Sequence, residues 1–289
     1  MSINSGDRPW PQVVGHEDLD WPADDQRILV PFCDAVNERE TSLLGANITF
    51  GVDGELYLLY APDSDGATSS DELRDEAEQK MEIRDRFSIP VTQTQLSYSR
   101  GLLDSFVDSH SITTTVVDRD ETRFFSRGRD ETTVAKGCHT VVGTRMDRFE
   151  SPSSILVPVA RGPHSGLATR IAEAIARAAD CWIELFHVVP EDATEREEVD
   201  ARNLLDAYDY RLDDGVDVDH HVVRASDPAN EIIDHSGYHD MTIVGAPEKG
   251  KLRRFLFGST TDEVRQDSES GPVLTVHRKT DESVLSRLF

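Results

Sequence analysis

The stretch Val244–Val264, VGAPEKGKLRRFLFGSTTDEV, gathers residue types that hold an anion. Gly245, Gly250 and Gly258 let backbone amides approach a phosphate with no Cβ in the way. Ser259, Thr260 and Thr261 open a helical pattern, which collects hydroxyls and free N–H groups at a helix N-terminus. Lys249, Lys251, Arg253 and Arg254 surround a single acid, Glu248, so residues 248–254 carry a local charge of +3 in a chain of net charge −25. The helix dipole alone contributes only about 0.3–1 kcal/mol, so Lys251 and Arg253 are the natural counter-charges.

Rival chemistries fit less well. GAPEKGKL at Gly245–Leu252 approaches the G-x-x-x-x-G-K-[ST] loop, but Leu252 stands where a hydroxyl would ligate Mg²⁺. His235 and His239 lie four apart and could share one helix face. Gly237 interrupts them and no third ligand stands nearby in sequence, so they read as surface histidines and no metal ligand is assigned. His220 and His221 are adjacent on a strand, point to opposite faces and cannot serve one ion. No G-x-S-x-G elbow is present, and no catalytic residue is assigned. Cys33, Cys138 and Cys181 are far apart without CxxC spacing, so neither a disulfide framework nor a zinc knuckle is expected.

The elements that must position this loop come from an internal repeat. RILVPF at 27–32 returns as SILVPV at 154–159, an offset of 127. GELYLLYAP (54–62) returns as CWIELFHVVP (181–190), TTTVVD (113–118) as DMTIVG (240–245), and HTVVGTR (139–145) as PVLTVHR (272–278). In the second unit, strands are predicted at Ile155–Val159, Ile183–Val189, Val216–Val223, Asp240–Val244 and Pro272–His277. Between the first two, Leu167, Ile171, Ala174, Ile175 and Ala178 recur at helical spacing. Glu195–Leu212 reads as a helix with Val199, Leu204, Leu205 and Tyr208 inward. Asp227–Pro228 reads as an N-cap followed by proline at the first helical position. In the first unit, strands are predicted at Arg27–Phe32, Glu55–Tyr60, Val91–Tyr98, Ile112–Val117 and Thr140–Gly143. Strands alternating with helices imply βαβ crossovers and a mostly parallel sheet. The predicted fold class is α/β: two tandem open parallel five-stranded sheets with helices on both faces.

The expected organisation is an N-terminal extension (1–26), a first domain (27–148), a second domain carrying the glycine-rich loop (153–279) and a C-terminal tail (280–289). Acidic residues spread along the whole chain, and only five of its thirty basic residues are lysine. Such a surface repels itself in dilute buffer and is relieved by salt, which suits a salt-rich cytoplasm and predicts a melting temperature that climbs with KCl. It is a poor partner for nucleic acid or an anionic membrane. The longest apolar runs are too short to span a bilayer, and the N-terminus lacks the pattern of a secretory signal. A cytoplasmic location is expected.

At strand one and the glycine loop the chain resembles the universal stress protein family, in its tandem form and with the loop variant of salt-loving archaea. Nucleotide-binding members of that family carry G-x-x-G, about nine residues, then G-[S/T] after the fourth strand. Gly245 and Gly258–Ser259 stand at the first and last places, Glu248 replaces the second glycine, and Gly250 follows. The family's Asp after the first strand, in a VPVDGS-like turn, is replaced by Ala160 in VPVARGPHS. The resemblance implies a stress-response or regulatory protein that binds an adenine nucleotide, ATP, in the second domain, with at most slow hydrolysis and with Mg²⁺ only alongside ATP. The implied site comprises Pro158, Val159, Ala160, Val188, Gly245, Gly250, Lys251, Arg253, Gly258, Ser259 and Thr260. In the first unit Asp118 replaces the first glycine, and no nucleotide is expected there. The alternative is a non-nucleotide interaction or dimerisation scaffold. The family also implies that the fifth strands pair, within one chain or across a homodimer, and makes a membrane transporter a candidate partner.

Overall fold

The computed structural model describes residues 25–32, 37–61, 80–97, 99, 101–119, 137–246 and 271–279. Their strands are β1 (Arg27–Phe32), β2 (Glu55–Tyr60), β3 (Val91–Gln95), β4 (Thr114–Asp118), β5 (His139–Thr144), β6 (Ser154–Pro158), β7 (Trp182–Val189), β8 (Val218–Arg224), β9 (Met241–Gly245) and β10 (Val273–His277). The helices are α1 (Glu38–Gly51), α2 (Leu102–His110), α3 (Pro163–Ala179), α4 (Glu195–Asp209) and α5 (Pro228–Ser236), with a further helical segment at 80–87.

The strands form one sheet in the order β3-β2-β1-β4-β5-β10-β9-β6-β7-β8. The two five-stranded sheets expected from the sequence are therefore halves of a single ten-stranded sheet. Each half has its first strand at the centre and all its pairings are parallel. The halves meet at β5 and β10, which pair antiparallel with Val141 opposite Val276. The pairing expected of the fifth strands is thus made within one chain, and it hides two edges that would otherwise offer unpaired backbone.

Alternation along the strands directs side chains to two faces. Ile28, Val30, Leu56, Leu58, Ile155, Val157, Ile183 and Leu185 belong to one large core that runs through both halves beneath α1, α3 and α4. There α1 and α3 touch: a Cβ on Gly51 would fall inside the Ala174 backbone, and Arg177 Nη1 donates to the Gly51 carbonyl at 2.7 Å. Leu29, Leu59, Val117 and Val142 face the other way, against Leu103, Phe106 and Val107 of α2.

Helix starts follow their chemistry. Thr194 caps α4 through a reciprocal capping box with Glu197. Asp227 accepts from Asn230 N at the start of α5, with Pro228 next, as the sequence predicts. Two expectations fail. Val199 is 43% exposed, because the buried stripe of α4 is Ala201, Leu204, Leu205 and Tyr208. β3 stops at Gln95, not Tyr98, and as an edge strand it exposes residues along its whole length.

Candidate functional sites at a strand crevice and a histidine cluster

In the second half the chain runs from β6 outward to β7 and β8, then returns to β9 on the other side of β6. The carboxyl ends of β6 and β9 therefore flank the switch point, where open α/β sheets take ligands. Gly245 ends β9 there. A Cβ at this residue would lie 2.7 Å from the carbonyl carbon of His164 and 2.8 Å from Ser165 N. Only glycine lets β9 run so close beneath the first turn of α3.

The floor of the crevice is polar and already bonded. Ser165 Oγ accepts from Ala160 N at 3.1 Å, and Tyr208 Oη donates to the Ala160 carbonyl at 2.9 Å. His187 Nδ1 stands 2.7 Å from the Val159 carbonyl. His164 Nδ1 accepts from Arg278 N at 3.1 Å. Pro158, Val159 and Ala160 line the end of β6, with Ala160 exposed, and Val188 sits near the end of neighbouring β7. The structure thus brings Pro158, Val159, Ala160 and Gly245 to one crevice, with Val188 beside it. Gly250, Lys251, Arg253, Gly258, Ser259 and Thr260 lie outside the described residues. Ser165 and Tyr208 were not among the sequence-predicted site residues. The periodicity that places Tyr208 inward says nothing of where its hydroxyl ends.

The corresponding place in the first half is different. Asp118 ends β4 where Gly245 ends β9, and it is 3% exposed. Its Oδ2 accepts from Asn37 Nδ2 at 3.1 Å. Nearby Glu38 opens α1 and accepts from Tyr60 Oη at 2.6 Å. Two carboxylates at this strand end repel an anion.

A second cluster lies on the opposite face of the sheet. Glu184 of β7 points toward α5, where His235 Nε2 is 2.6 Å from Glu184 Oε1. His239 Nε2 is 3.7 Å from Glu184 Oε2, and His221 Nδ1 of β8 is 3.3 Å from Oε1. The sequence places His235 and His239 on the surface without a third ligand. The structure corrects this: His239 is only 7% exposed, and Glu184 supplies a third donor within 4.8 Å of both histidines. Gly237 does not separate them, because successive i→i+3 bonds from Gly237, Tyr238 and His239 carry the winding past the helix end. Burial lowers the pKa of His239 while Glu184 opposes the shift. His220 faces the other way, toward Asp206 and Asp209 of α4, as strand alternation requires.

The described cysteines, Cys138 and Cys181, are free thiols, each pushed up to about 11, chiefly by burial. Among the described residues no helix is long and apolar enough to cross a membrane.

An open α/β sheet with a glycine at its switch point belongs to a broad class of ligand-binding folds. Residues 153–277, all of the second half, match the model of the universal stress protein family. Two solved structures show the fold over nearly the whole chain. A universal stress protein from Archaeoglobus fulgidus DSM 4304 is 15% identical, with a TM-score of 0.53 over 90% of this chain and 98% of the other. The cytoplasmic domain of a prokaryotic cation chloride cotransporter is 13% identical, with a TM-score of 0.57 over 91% of this chain and 99% of the other. No curated protein matches the chain.

Proposed function

We propose that this chain is a regulatory, stress-response module that binds an adenine nucleotide such as ATP in its second half. The observation that carries this reading is the Gly245 crevice. There β9 passes beneath the first turn of α3 with no room for a Cβ, and the cation- and glycine-rich sequence follows directly. A phosphate held there meets backbone amides and Lys251 or Arg253, while the base lies near Val157–Ala160 and His187–Val189. The two carboxylates of the first half support a ligand in the second half only. Mg²⁺ would accompany the nucleotide as its counter-ion. Saturating ATP, at one hundred times its dissociation constant, should stabilise the protein by about 2.7 kcal/mol. An unchanged melting transition across several salt concentrations would sink this reading.

One observation favours a second reading, a nucleotide-free interaction scaffold. The Ala160 amide and carbonyl and the Val159 carbonyl are already engaged by Ser165, Tyr208 and His187. A base would have to compete with those bonds. On this reading the module acts through a partner, and a membrane transporter is a candidate. Co-purification with a transporter from native membranes, unaffected by nucleotide, would support it.

A further inference from the structure

We propose that Glu184, His235 and His239 form a binding site for a divalent transition-metal cation of the zinc class. Two imidazoles and one carboxylate are a donor set that suits zinc and its neighbours, not magnesium or calcium. With metal–donor bonds of about 2.0–2.2 Å, donors around a tetrahedral ion stand roughly 3.3 Å apart. The Glu184 carboxylate meets His235 at 2.6 Å and His239 at 3.7 Å, on either side of that spacing. Small rotations of the two rings would place all three donors on one ion, leaving the fourth corner for water or another ligand.

The hydrogen bond between His235 and Glu184 would by itself explain that pair as an ordinary polar contact. It does not explain His239. This ring is almost wholly buried, its Nδ1 has no hydrogen-bond partner, and its Nε2 lies beyond hydrogen-bond reach of the carboxylate. A buried imidazole with so little compensation is costly, and an ion bound by Nε2 at the centre of the cluster would offset part of that cost while leaving Nδ1 as it is. Glu184 tells the same story from the strand side. It is a carboxylate between Trp182 and Phe186 on the face of β7 that packs under α5, where a charged group needs a partner.

The ion would also have structural work to do. Among the residues of α5 only Ser236 is buried, so the helix is held to the sheet by little apolar surface. A metal bridging β7 and the end of α5 would fasten it. It would also order the turn leading to Asp240, whose Oδ2 accepts from Ser153 N and Ser154 N at the start of β6.

The test uses the full chain, stripped with EDTA and titrated with Zn²⁺ against a chromogenic chelator. One equivalent should bind saturably and raise the melting temperature. Glu184→Gln and His239→Gln should each weaken Zn²⁺ at least about 100-fold, the upper end of what losing a supporting group costs. His220→Gln removes a histidine beside two carboxylates on the other face and should leave affinity unchanged. Loading the wild-type protein with Co²⁺ should give the intense visible absorption of a tetrahedral nitrogen–oxygen site, a readout that holds even if a variant fails to fold. The proposal is overturned by a folded wild-type chain that takes up no stoichiometric Zn²⁺, by a Co²⁺ spectrum like that of the free ion, or by folded Glu184 and His239 variants that bind as well as wild type.

Discussion

Tyr57 and Glu184 hold the same place in the two halves of the sheet. Tyr57 stands on β2 in register with Leu29 of β1, and Glu184 stands on β7 in register with Leu156 of β6. Both point to the face covered by the half's own outer helix. Under α2 the space is closed by rings: Phe106 stacks on His110 at 4.0 Å, and Tyr57 meets both edge-on. Under α5 the same space holds a carboxylate and histidines. The strand ends diverge in the same way, with Asp118 bonded to Asn37 in one half and Gly245 pressed against α3 in the other. A repeated backbone fixes where side chains meet and leaves their chemistry free. Here the first half carries a bonded carboxylate at one place and packed rings at the other, and both candidate sites fall in the second.

Copying the first half's crevice into the second gives the largest effect. In Gly245→Asp the new Cβ would overlap the His164 and Ser165 backbone, an overlap that a favourable carboxylate at the helix start does not offset. Stability should fall by about 3 kcal/mol or more. Urea denaturation measures it. A loss below about 1 kcal/mol would mean that the close approach is not obligatory.

The joint between the halves should respond to pH. His139 opens β5 at the seam, is 5% exposed and accepts from Lys279 N on Nδ1 at 3.1 Å, which requires that nitrogen to be unprotonated. Burial, then Lys279 and Arg278, lowers its pKa to about 4. The unfolded chain takes up the proton near pH 6.5 and the folded chain does not until about pH 4. The stabilisation is therefore fully present above pH 6.5 and is lost as pH falls through that window, by roughly 3 kcal/mol at most. His139→Gln keeps an acceptor and removes the titration. Subtracting its pH–stability curve from that of wild type should leave this slope, and a flat difference would refute it.

Asp118→Ala probes the first half's own filling. Half-buried Asn37 would lose the charged acceptor that buried Asp118 supplies, at a cost of about 1.5–3 kcal/mol. If stability is unchanged, the bond between Asn37 and Asp118 contributes nothing net at that strand end.

The strands were legible because parallel strands buried on both faces read as apolar runs. β1 and β2 match the expectation residue for residue, while the edge strand β3, half polar and exposed, blurs its own end. Gly245 was legible as a special glycine, though its contact with His164 was not, since α3 lies some eighty residues earlier. The histidine cluster was least legible. Glu184 is 51 residues from His235, and Gly237 suggested a break that the tightened turn spans. One sequence signal existed: a carboxylate alternating with Trp182 and Phe186 in an otherwise apolar strand asks for a partner.

The smallest test concerns how the two outer helices begin. The N-cap of α5 is Asp227, whose Oδ1 accepts from Asn230 N at 3.4 Å. The N-cap of α2 is Gly101, with φ 84 and no side-chain cap. Both residues open equivalent helices, but by different means: one satisfies a free amide with a side chain, the other adopts a left-handed turn that a Cβ would strain. Asp227→Ala should therefore cost about 1 kcal/mol, and Asp227→Gly only a few tenths, because glycine leaves the amide open to water. Gly101→Asp, which adds the capping side chain, should not gain the same amount, since its left-handed φ charges about 1 kcal/mol against it. Urea midpoints of the three variants measure this asymmetry. Equal and opposite shifts for Asp227→Gly and Gly101→Asp would show that the two helix starts are interchangeable and that the halves differ less here than their cap residues suggest.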